Sequence, residues 1–553
     1  MLAKKDDLLV MPLGGLEQIG ANSTLIGNNK EWIMIDLGIA FHDKCGIEVL
    51  TPDISFPSSV KESLKGIFVT HAHEDHIGAI PYLWQQLQCP IYLTEFPAAV
   101  LRQKLEEYSW KDKVKINVVK VGKKINVGSF EVEFVHLAHS ILGACGVYVK
   151  TKAGTVFHTG DWKIDESPLL GDEVNEKRLI EIGNEGVNCL LCDSTNVLSS
   201  ENIGSEADVR GGLTRVISNY KDKRITVTCF ASNLARIETI LQVAKASGRK
   251  IAVIGRSMHK MIDAIQETTY FTKEFKSGLG AVISDEEAAS MPPSKVLLIC
   301  TGSQGEARSA LFRLSRGENR VLKLGKQDVV IFSSKVIPGN ELEIREVQNH
   351  LVKSGVEVVT AETEEHIHVS GHPNKEALSK MYKWLHPKTF IPMHGDAMML
   401  HAQRAFAESE GIKETMVIES GDIVCINDDK LKKIDHKDVE FYAIDGNDLI
   451  PLTSPAIRER ASMSYNGHVS VSFVLNNEDR LANAPDVVIN GIYIDPENNK
   501  KLQTLIYQAI SNEVIIHAED IKDMKKECEF SIKRLIGRHF GKKPLVAVHI
   551  HKE

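Results

Sequence analysis

The sequence predicts an α/β protein: a sandwich of two sheets with outer helices, interrupted by a parallel α/β domain and followed by a small α+β domain. Residues 1–205 consist of short, β-branched apolar runs broken by Gly, Asn and Asp, which is the pattern of closely spaced strands. Residues 206–350 alternate strand and helix patterns, which is typical of a parallel sheet. After "VEVVT" (356–360) the loop-rich, histidine-rich style of the first part returns through "FIPMHGD", so the middle domain is predicted to be an insertion.

Individual apolar runs mark the elements of these parts. In the first part, "EWIMIDLG", "GIFVTHAH" and "GTVFHTGD" have the length and composition of strands, and "GAIPYLWQQL" is one of the few clear helix patterns. In the inserted part, "RITVTCF" precedes "NLARIETILQVAKASG", and "KVLLICTG" precedes "GEARSALFRLSRG". Near the end, "HVSVSFVL" and "PLVAVHIH" read as strands. The predicted segments are the first part of the sandwich (1–205), the inserted domain (206–350), the second part of the sandwich (351–445), a linker (446–464) and the α+β domain (465–553).

The composition is that of a folded protein that does not cross a membrane. Of its 553 residues, 43% are apolar and 25% are charged, and no apolar run reaches the roughly eighteen residues of a membrane helix. The first residues, "MLAKKDDLLVMPLGG", lack a signal-peptide core, and the nine cysteines are scattered along the chain. We therefore expect a cytoplasmic location in a reducing compartment. The net charge of −8 argues weakly against nonspecific binding of polyanions.

The stretch "VTHAHEDHIGAI" (69–80) crowds three histidines and two carboxylates together after an apolar run. If the strand stays extended, His71 and His73 lie on one face and can share an ion. Asp75 and His76 follow as the chain turns, and they can face a second ion. Neutral imidazoles and carboxylates are the ligands that zinc accepts in open catalytic sites. A chance cluster in a solvated loop is the alternative, and the HxHxDH spacing at a strand end favours metal binding over it.

Further ligands are expected where other strands end. His139 lies near the end of "FEVEFVHLAHS", Asp161 at the end of "GTVFHTGD" and His394 near the end of "FIPMHG". A carboxylate such as that of Asp161 can bridge two ions. Asp36, at the end of "WIMID", is placed to orient a ligand histidine from behind. A lone histidine is usually only a polar side chain, but the shared position of these residues at strand ends indicates one dinuclear centre.

A dinuclear centre of this kind supports hydrolysis. Two divalent cations about 3.5–4 Å apart lower the pKa of a shared water toward neutrality and hold the attacked group between them. Phosphate esters, thioesters, lactones and amides all remain open as substrates on these residues alone.

A series of motifs carries a resemblance to a known family. "THAHEDH" with His139, Asp161 and His394 resembles the metallo-β-lactamase superfamily, whose fold is an αββα sandwich. More narrowly, the chain resembles the ribonuclease J family, of the β-CASP branch. The motifs run in family order over roughly 400 residues. They are "PLGGLEQIGAN", "HSI", "TGDWK", "DSTNV", "FASNLARI", "TGSQGE", "PGNE", "HVSGH" and "PMHG".

The resemblance implies a zinc-dependent nuclease. The inserted segment would be a β-CASP domain that closes over the metal site and forms an RNA channel. Each subunit would hold two Zn²⁺, with Mn²⁺ or Mg²⁺ as substitutes in vitro. The implied ligands are His71, His73 and His139 on one ion, Asp75, His76 and His394 on the other, and Asp161 bridging both.

The resemblance also implies which residues act on RNA. Asp75, His76, Asp193 and His368 are the implied catalytic residues, and His368 would assist protonation of the leaving group near pH 7. "HVSGH" reads as an anion cradle because small residues and two histidines lie together. For Ser232, Asn233 and Ser334, a polar turn residue that bonds its own backbone is an equal alternative. The implied substrate-binding residues are Ser232, Asn233, Ser334, His368, Val369, Ser370, Gly371 and His372.

By the same resemblance, the reaction is hydrolysis of single-stranded RNA in rRNA processing and mRNA decay, with 3′-hydroxyl and 5′-phosphate products. The implied enzyme is a 5′-to-3′ exonuclease that prefers 5′-monophosphate ends and also cleaves internally, with little sequence specificity. Homodimers or homotetramers are implied as well. Two alternatives are another hydrolase on this scaffold, such as a thioesterase or lactonase, and a non-catalytic RNA-binding subunit. The first does not need the inserted domain, and the second predicts a missing ligand, whereas all seven ligands are present.

Two departures from the family pattern bear on the site. Leu142-Gly143 follow "HSI" where the family often has Pro-Asp, so a carboxylate near the site is missing and substrate positioning is affected. Gly46, Glu48 and Asp445 fall where some members hold a structural Ca²⁺, which the resemblance extends to this chain, although Glu48 replaces the more usual Asp.

Overall fold

The computed structural model describes residues 7–199, 204–517 and 520–553, without the side chains of residues 496, 497 and 499. The start of the N-terminal segment considered above (1–6) and part of the predicted first segment (200–203) lie outside the described residues. The described chain divides into two compact units. One comprises the residues up to Ala40 together with Thr51–Val439, and the other comprises Phe41–Leu50 together with Glu440–Glu553.

The first sheet of the larger unit has eight strands. Leu8–Gly14 and Ser23–Asn28 pair antiparallel, whereas Glu31–Ile35 and Leu64–Phe68 pair parallel, so the sheet is mixed. Its order is Lys430–His436, Asp422–Asn427, Leu8–Gly14, Ser23–Asn28, Glu31–Ile35, Leu64–Phe68, Ile91–Leu93 and Ile116–Val118.

The second sheet of the larger unit has seven strands. Three neighbouring strands, Gly154–His158, Cys189–Asp193 and Thr389–Met393, run parallel, so their carboxyl ends meet at one edge. The order of the sheet is Glu414–Thr415, Thr389–Met393, Cys189–Asp193, Gly154–His158, Cys145–Thr151, Phe130–His136 and Lys124–Val127.

The two sheets pack face to face, with helices outside. Val10 and Phe68 of the first sheet lie in one buried apolar cluster with Phe134 and Leu191 of the second sheet. A separate cluster packs helical residues such as Met381 against the outer face of the second sheet. The αββα sandwich predicted from the sequence is confirmed. Its helices are Ser55–Ser59, Lys61–Ser63, Glu74–Ile77, Ile80–Leu87, Glu95–Leu105, Lys111–Lys113, Glu176–Glu185, Lys375–Leu385 and Ala397–Ser409.

The inserted domain is a parallel sheet of five strands with apolar clusters on both faces. Its last strand, Glu357–Val359, falls within the run "VEVVT" (356–360), beyond the predicted boundary at residue 350. The sheet order is Lys250–Ile254, Val296–Cys300, Arg224–Thr228, Asp328–Phe332 and Glu357–Val359. The helices are Glu206–Asn219, Leu234–Ala246, Arg256–Gln266, Lys273–Leu279, Asp285–Ser290, Pro293–Lys295, Ala310–Ser315 and Glu341–Lys353.

The second unit ends in a three-stranded sheet covered by two helices. Its central strand buries alternate residues, including Val469 and Phe473, against the helices. The sheet order is Asp486–Asn490, His468–Leu475 and Leu545–Lys552, and the helices are Pro496–Ile516 and Ile521–Phe540. Short strands also lie at Ala40–Phe41 and Val49–Pro52. None of the described helices combines the length and the apolar character that crossing a bilayer requires.

The predicted linker at 446–464 is folded. Phe441–Asp445 and Asp448–Pro451 form an antiparallel hairpin, and Pro455–Asn466 form a helix. Ser454 caps this helix and Pro455 occupies its first turn, where a missing N–H costs nothing. Pro455 therefore marks the start of a helix.

Candidate metal centre and active site

The predicted ligands follow the carboxyl ends of strands, where the sandwich brings them together. The strand before the HxHxDH motif ends at Phe68, so His71 and His73 lie in the loop beyond it rather than in extended strand. The short helix Glu74–Ile77 then carries the other two residues of the motif. The remaining ligands follow three other strands: His139 after Phe130–His136, Asp161 after Gly154–His158, and His394 after Thr389–Met393.

Three histidines point their ring nitrogens at one another. His73 Nδ1 lies 3.1 Å from His71 Nε2 and 3.1 Å from His139 Nε2. The carboxylate oxygen Oδ2 of Asp161 lies 3.8 Å from both Nε2 atoms. This first ligand group can hold one metal ion.

A second ligand group shares the same carboxylate. Asp161 Oδ2 lies 3.3 Å from His76 Nε2 and 3.6 Å from His394 Nε2. Asp75 Oδ2 lies 3.5 Å and 3.8 Å from these two nitrogens. These four residues can hold a second ion, and one oxygen of Asp161 faces both groups.

Asp36 fixes the orientation of two of these rings. Its Oδ2 lies 2.7 Å from His76 Nδ1, and its oxygens also accept hydrogen bonds from the backbone N–H and the hydroxyl of Thr70. Since the Thr70 hydroxyl donates to Asp36, it accepts from His71 Nδ1 at 3.0 Å. The protons of both rings therefore lie on Nδ1, and their Nε2 lone pairs face the ligand groups.

Asn22 completes the second group. Its Oδ1 accepts from His394 Nδ1 at 2.7 Å, and its Nδ2 lies 3.0 Å from His76 Nε2 and 3.3 Å from Asp75 Oδ2. Asn22 and Thr70 were not among the residues predicted from the sequence. The signal available for Asn22 was its place at the end of "PLGGLEQIGAN".

Two residues from outside the sandwich strands hold the outer nitrogens of the first group. His139 Nδ1 donates to the Gly371 carbonyl at 2.6 Å, and His73 Nε2 lies 3.1 Å from the Ser232 hydroxyl. The Gly371 carbonyl can only accept, so the His139 proton lies on Nδ1 and Nε2 presents a lone pair; His73 Nδ1 presents one when its Nε2 donates to the Ser232 hydroxyl.

This arrangement fits a pair of metal ions. Lone pairs and carboxylate oxygens that face one another at short range repel unless a cation lies between them. Asp161 Oδ1 is buried and has no hydrogen-bond partner among the described residues. Imidazole and carboxylate are the donors that zinc accepts. The donor set therefore matches a metal cofactor.

Burial keeps the first group neutral. Burial lowers the pKa of His71 and of His139 well below the usual value and lowers that of His73 to about 4. A neutral imidazole is the form that binds a metal ion.

The second group is electrostatically coupled. Burial alone would raise the pKa of Asp161, but His394 and His76 outweigh it and hold that pKa well below the usual value. Burial lowers the pKa of His76, but Asp161 and Asp75 outweigh it and raise that pKa well above the usual value. The site therefore strongly favours positive charge beside these carboxylates.

Two site residues have a left-handed backbone. Asp36 has φ of 60° and His394 has φ of 52°, in the region that glycine favours. Such a conformation costs about 1–3 kcal/mol and persists where the surrounding structure enforces it, commonly at functional sites.

Asp193 and His372 form a pair beside the ligand groups. Asp193 Oδ2 lies 2.8 Å from His372 Nδ1, and the His372 ring contacts the rings of His139 and His394 at centroid distances of 5.0 and 5.9 Å. Burial lowers the pKa of His372, but Asp193 outweighs burial and raises that pKa to about 9. Thr195 donates two hydrogen bonds to Asp193 and fixes its carboxylate.

His368, for which the resemblance implies a role in protonating the leaving group, lies in a different electrostatic environment from His372. Burial, and then the Arg236 cation, lower the pKa of His368 to about 3, so the ring is neutral near pH 7. Its Nδ1 is buried without a hydrogen-bond partner among the described residues. The His372 ring, by contrast, is held by the Asp193 carboxylate.

Other predicted substrate-binding residues make structural contacts. Asn233 caps the helix Leu234–Ala246 by accepting from the Arg236 N–H. Val369 packs in an apolar cluster, Ser370 accepts from the backbone N–H of His372, and Ser334 is buried. These contacts match the alternative of locally bonded polar residues for Asn233.

Leu142-Gly143 form part of a core that the sandwich and the inserted domain share. Leu142 lies in one apolar cluster with Phe96 of the sandwich and Val209 of the inserted domain. Gly143 has φ of +72°, and its carbonyl accepts from the Thr94 hydroxyl at 2.8 Å. An apolar side chain therefore occupies the position after "HSI" and packs between the two parts.

Both oxygens of Asp445 are paired. Arg460 donates to them at 3.0 and 2.6 Å. A structural calcium at this residue would have to replace that ion pair. Calcium binding at Gly46 and Glu48 stays a prediction.

Four consecutive parts of the chain match known families. Residues 17–183 match the metallo-beta-lactamase superfamily, and residues 222–351 match the family described as "Ribonuclease J, beta-CASP domain". Residues 355–417 match "Zn-dependent metallo-hydrolase RNA specificity domain", and residues 455–553 match "Ribonuclease J C-terminal domain". A crystal structure of a protein of unknown function from Enterococcus faecalis aligns with a TM-score of 0.56 at 16% identity, over 76% of this chain and 100% of that chain, which shows the fold alone.

Relatives match over most of their length. Ribonuclease J of Sinorhizobium meliloti is 35% identical over 100% of this chain and 98% of its own length. Ribonuclease J 1 of Streptococcus pyogenes is 34% identical over 92% of this chain and 91% of its own length. These matches favour a nuclease over the alternatives of another hydrolase and a non-catalytic RNA-binding subunit. The chain belongs to the ribonuclease J family of metal-dependent, RNA-cleaving hydrolases.

Proposed function

We propose that this ribonuclease holds two Zn²⁺ per subunit and cleaves single-stranded RNA as a 5′-to-3′ exonuclease that prefers 5′-monophosphate ends, with endonuclease activity. One observation carries the two-ion proposal. A single oxygen, Asp161 Oδ2, lies 3.3 to 3.8 Å from four imidazole nitrogens that belong to two ligand groups. One carboxylate oxygen that faces two groups of lone pairs is suited to bridging two cations.

The two ligand groups would divide the ions between them. His71, His73 and His139 would hold one ion, Asp75, His76 and His394 the other, and Asp161 would contact both. When bound, two such ions supply an acidified water and a clamp on the attacked phosphate. Asp36 and Asn22 would keep the lone pairs of the second group pointed inward through their bonds to His76 and His394.

Asp193 and His372 would handle the proton at the leaving group. Asp193 holds His372 through Nδ1, so Nε2 is the ring atom left to give a proton to the departing 3′ oxygen. We assign this role to His372 rather than to His368 because the His372 ring contacts the rings of two ligand histidines. A positioned imidazole of this kind contributes about 10²- to 10⁴-fold to rate.

The finer features stay proposals of the same kind. His368, Ser370 and the backbone of the HVSGH loop would contact RNA phosphates, and the inserted domain would extend from residue 206 to Val359. We keep the homodimer or homotetramer, the cytoplasmic location and the structural calcium as predictions.

The test is cleavage of labelled RNA of one sequence with either a 5′-monophosphate or a 5′-triphosphate end. We expect mononucleotides from the monophosphate form, loss of activity with a chelator, and recovery on adding zinc. His76→Ala should abolish release, whereas the exposed control Asp112→Ala should not. Cleavage that survives exhaustive chelation would contradict the metal-dependent mechanism, and equal rates on both ends would contradict the end preference.

A further inference from the structure

The two ligand groups differ in the residues that hydrogen-bond the outer ring nitrogens of their histidines. In the second group, Asp36 holds His76 and Asn22 holds His394. Asn22 precedes the strand Ser23–Asn28 of the first sheet, and Asp36 follows the strand Glu31–Ile35. All of these residues lie in the sandwich, so this position is built by one domain.

In the first group, the outer partner of one histidine comes from the inserted domain and that of another comes from the loop that follows this domain. The hydroxyl that bonds His73 belongs to Ser232, in the turn between the inserted strand Arg224–Thr228 and the helix Leu234–Ala246. The carbonyl that bonds His139 belongs to Gly371, in the loop after the last inserted strand. Two of the three histidines in this group therefore take their ring orientation from outside the sandwich strands.

Ser232 is itself fixed in place. Its carbonyl accepts from the Leu234 N–H at 3.0 Å, and Asn233 beside it caps the helix. Asn233 also donates to Glu206, which forms a two-bond ion pair with Arg236 at 3.0 Å for each bond. Both charged side chains are buried, so the turn has little freedom to move away from the metal site.

The same ion pair anchors the segment that leads to Gly371. Arg236 donates to the carbonyl of Ser333 at 2.8 Å and to that of Ile367 at 3.4 Å. The Ser333 hydroxyl donates to the Ile367 carbonyl at 2.6 Å. One buried pair in the inserted domain therefore positions both groups that hold the first ligand set.

We propose that the inserted domain completes the first metal position, so that affinity for the ion at His71, His73 and His139 depends on Ser232, whereas affinity at the second position does not. Ser232 is a positioning residue for a metal ligand rather than an RNA contact. This inference rests on the two-ion proposal above. It follows because an outer partner fixes the tautomer and orientation of a ligand histidine, and its loss costs about 10- to 100-fold in metal affinity.

The test is zinc affinity of the full chain without RNA. Competition with a chromogenic chelator should resolve two equivalents in the wild-type protein, and Ser232→Ala should weaken one of them about 10- to 100-fold. Ser247→Ala, a serine at the other end of the same helix, should leave both unchanged. Ser232→Thr, which keeps the hydroxyl, should restore most of the lost affinity, and thermal unfolding should match among the variants.

Crystals of Ser232→Ala grown at limiting zinc identify the affected position. We expect reduced anomalous occupancy at the site of His73 and full occupancy at the site of His394. Unchanged affinity, or equal losses at both sites, would overturn the inference. If the wild-type protein binds only one equivalent, the two-ion proposal fails separately, and the response of that ion to Ser232→Ala still decides the inference.

Discussion

His76 donates from Nδ1 to the Asp36 carboxylate at 2.7 Å, and both side chains are buried. Because Asp36 also receives two hydrogen bonds from Thr70, its carboxylate cannot rotate freely. The bond therefore sets both the tautomer and the direction of a ring whose Nε2 faces two carboxylates. The His76 ring is therefore oriented for metal binding before an ion is bound.

We predict that Asp36→Ala weakens zinc binding at the second position about 10- to 100-fold and lowers RNA cleavage at limiting zinc. The reason is that the His76 ring loses the partner that holds its Nε2 toward the site. Chelator competition measures the affinity, and saturating zinc should recover part of the activity. Asp112→Ala is the matched control, and equal zinc affinity in the two variants would contradict this role for Asp36.

His372→Ala is expected to slow single-turnover cleavage about 10²- to 10⁴-fold while zinc content and RNA affinity stay close to wild type. The ring that Asp193 holds would be lost, but the ligand groups would remain. His368→Ala should slow the cleavage step less, since no carboxylate of the described residues is hydrogen-bonded to that ring. Rapid-quench measurement on one RNA separates the variants, and the reverse order of effects would assign proton donation to His368.

Gly371→Ala should disturb the first metal position. A Cβ there would lie 2.9 Å from His139 Cε1 and 2.9 Å from Ser140 Oγ, closer than side chains approach. The His139 ring would have to move, so we expect lower zinc occupancy and lower activity. Gly211→Ala adds a Cβ in open space within a helix and should preserve both. Full occupancy in Gly371→Ala would show that the ring adapts.

We predict that Glu206 makes a pH-dependent contribution to the folding stability of the protein. Burial would raise its pKa, but Arg236 and Lys163 outweigh burial and lower that pKa from 4.5 to about 2. The stabilisation is therefore complete above pH 4.5 and is lost as the pH falls toward 2. Glu206→Gln should cost about 3–5 kcal/mol at pH 7 because it leaves Arg236 buried without its partner.

Urea unfolding at several pH values tests this prediction. The gap between wild type and Glu206→Gln should narrow as the pH falls below 4.5, since the unfolded wild-type chain then takes up a proton at Glu206 that the folded protein does not bind until the pH approaches 2. The exposed control Glu362→Gln should show a small effect throughout. A gap that stays constant down to pH 3 would contradict the assigned charge state.

The sequence predicted the ligands because strand ends have a fixed place in a sandwich. Residues that follow neighbouring parallel strands, such as Asp161, Asp193 and His394, must meet at one edge of the sheet. His158, which ends one of these strands, joins neither ligand group, and its Nδ1 accepts from the Gly160 N–H. The sequence alone therefore predicts that these side chains lie close together.

The outer partners could not be predicted in this way. His394 and Asn22 are 372 positions apart, and His73 and Ser232 are 159 apart, so no local pattern joins them. The choice between His368 and His372 depends on which one reaches Asp193, and spacing within a loop does not fix that. These outer partners are determined by tertiary contacts.

The most direct test of the account is anomalous diffraction at the zinc edge from crystals of the purified, undialysed protein. We predict two peaks about 3.5–4 Å apart, one within bonding distance of His71, His73 and His139, the other of Asp75, His76 and His394, with Asp161 between them. A single peak, or none at stoichiometric occupancy, would contradict the dinuclear centre.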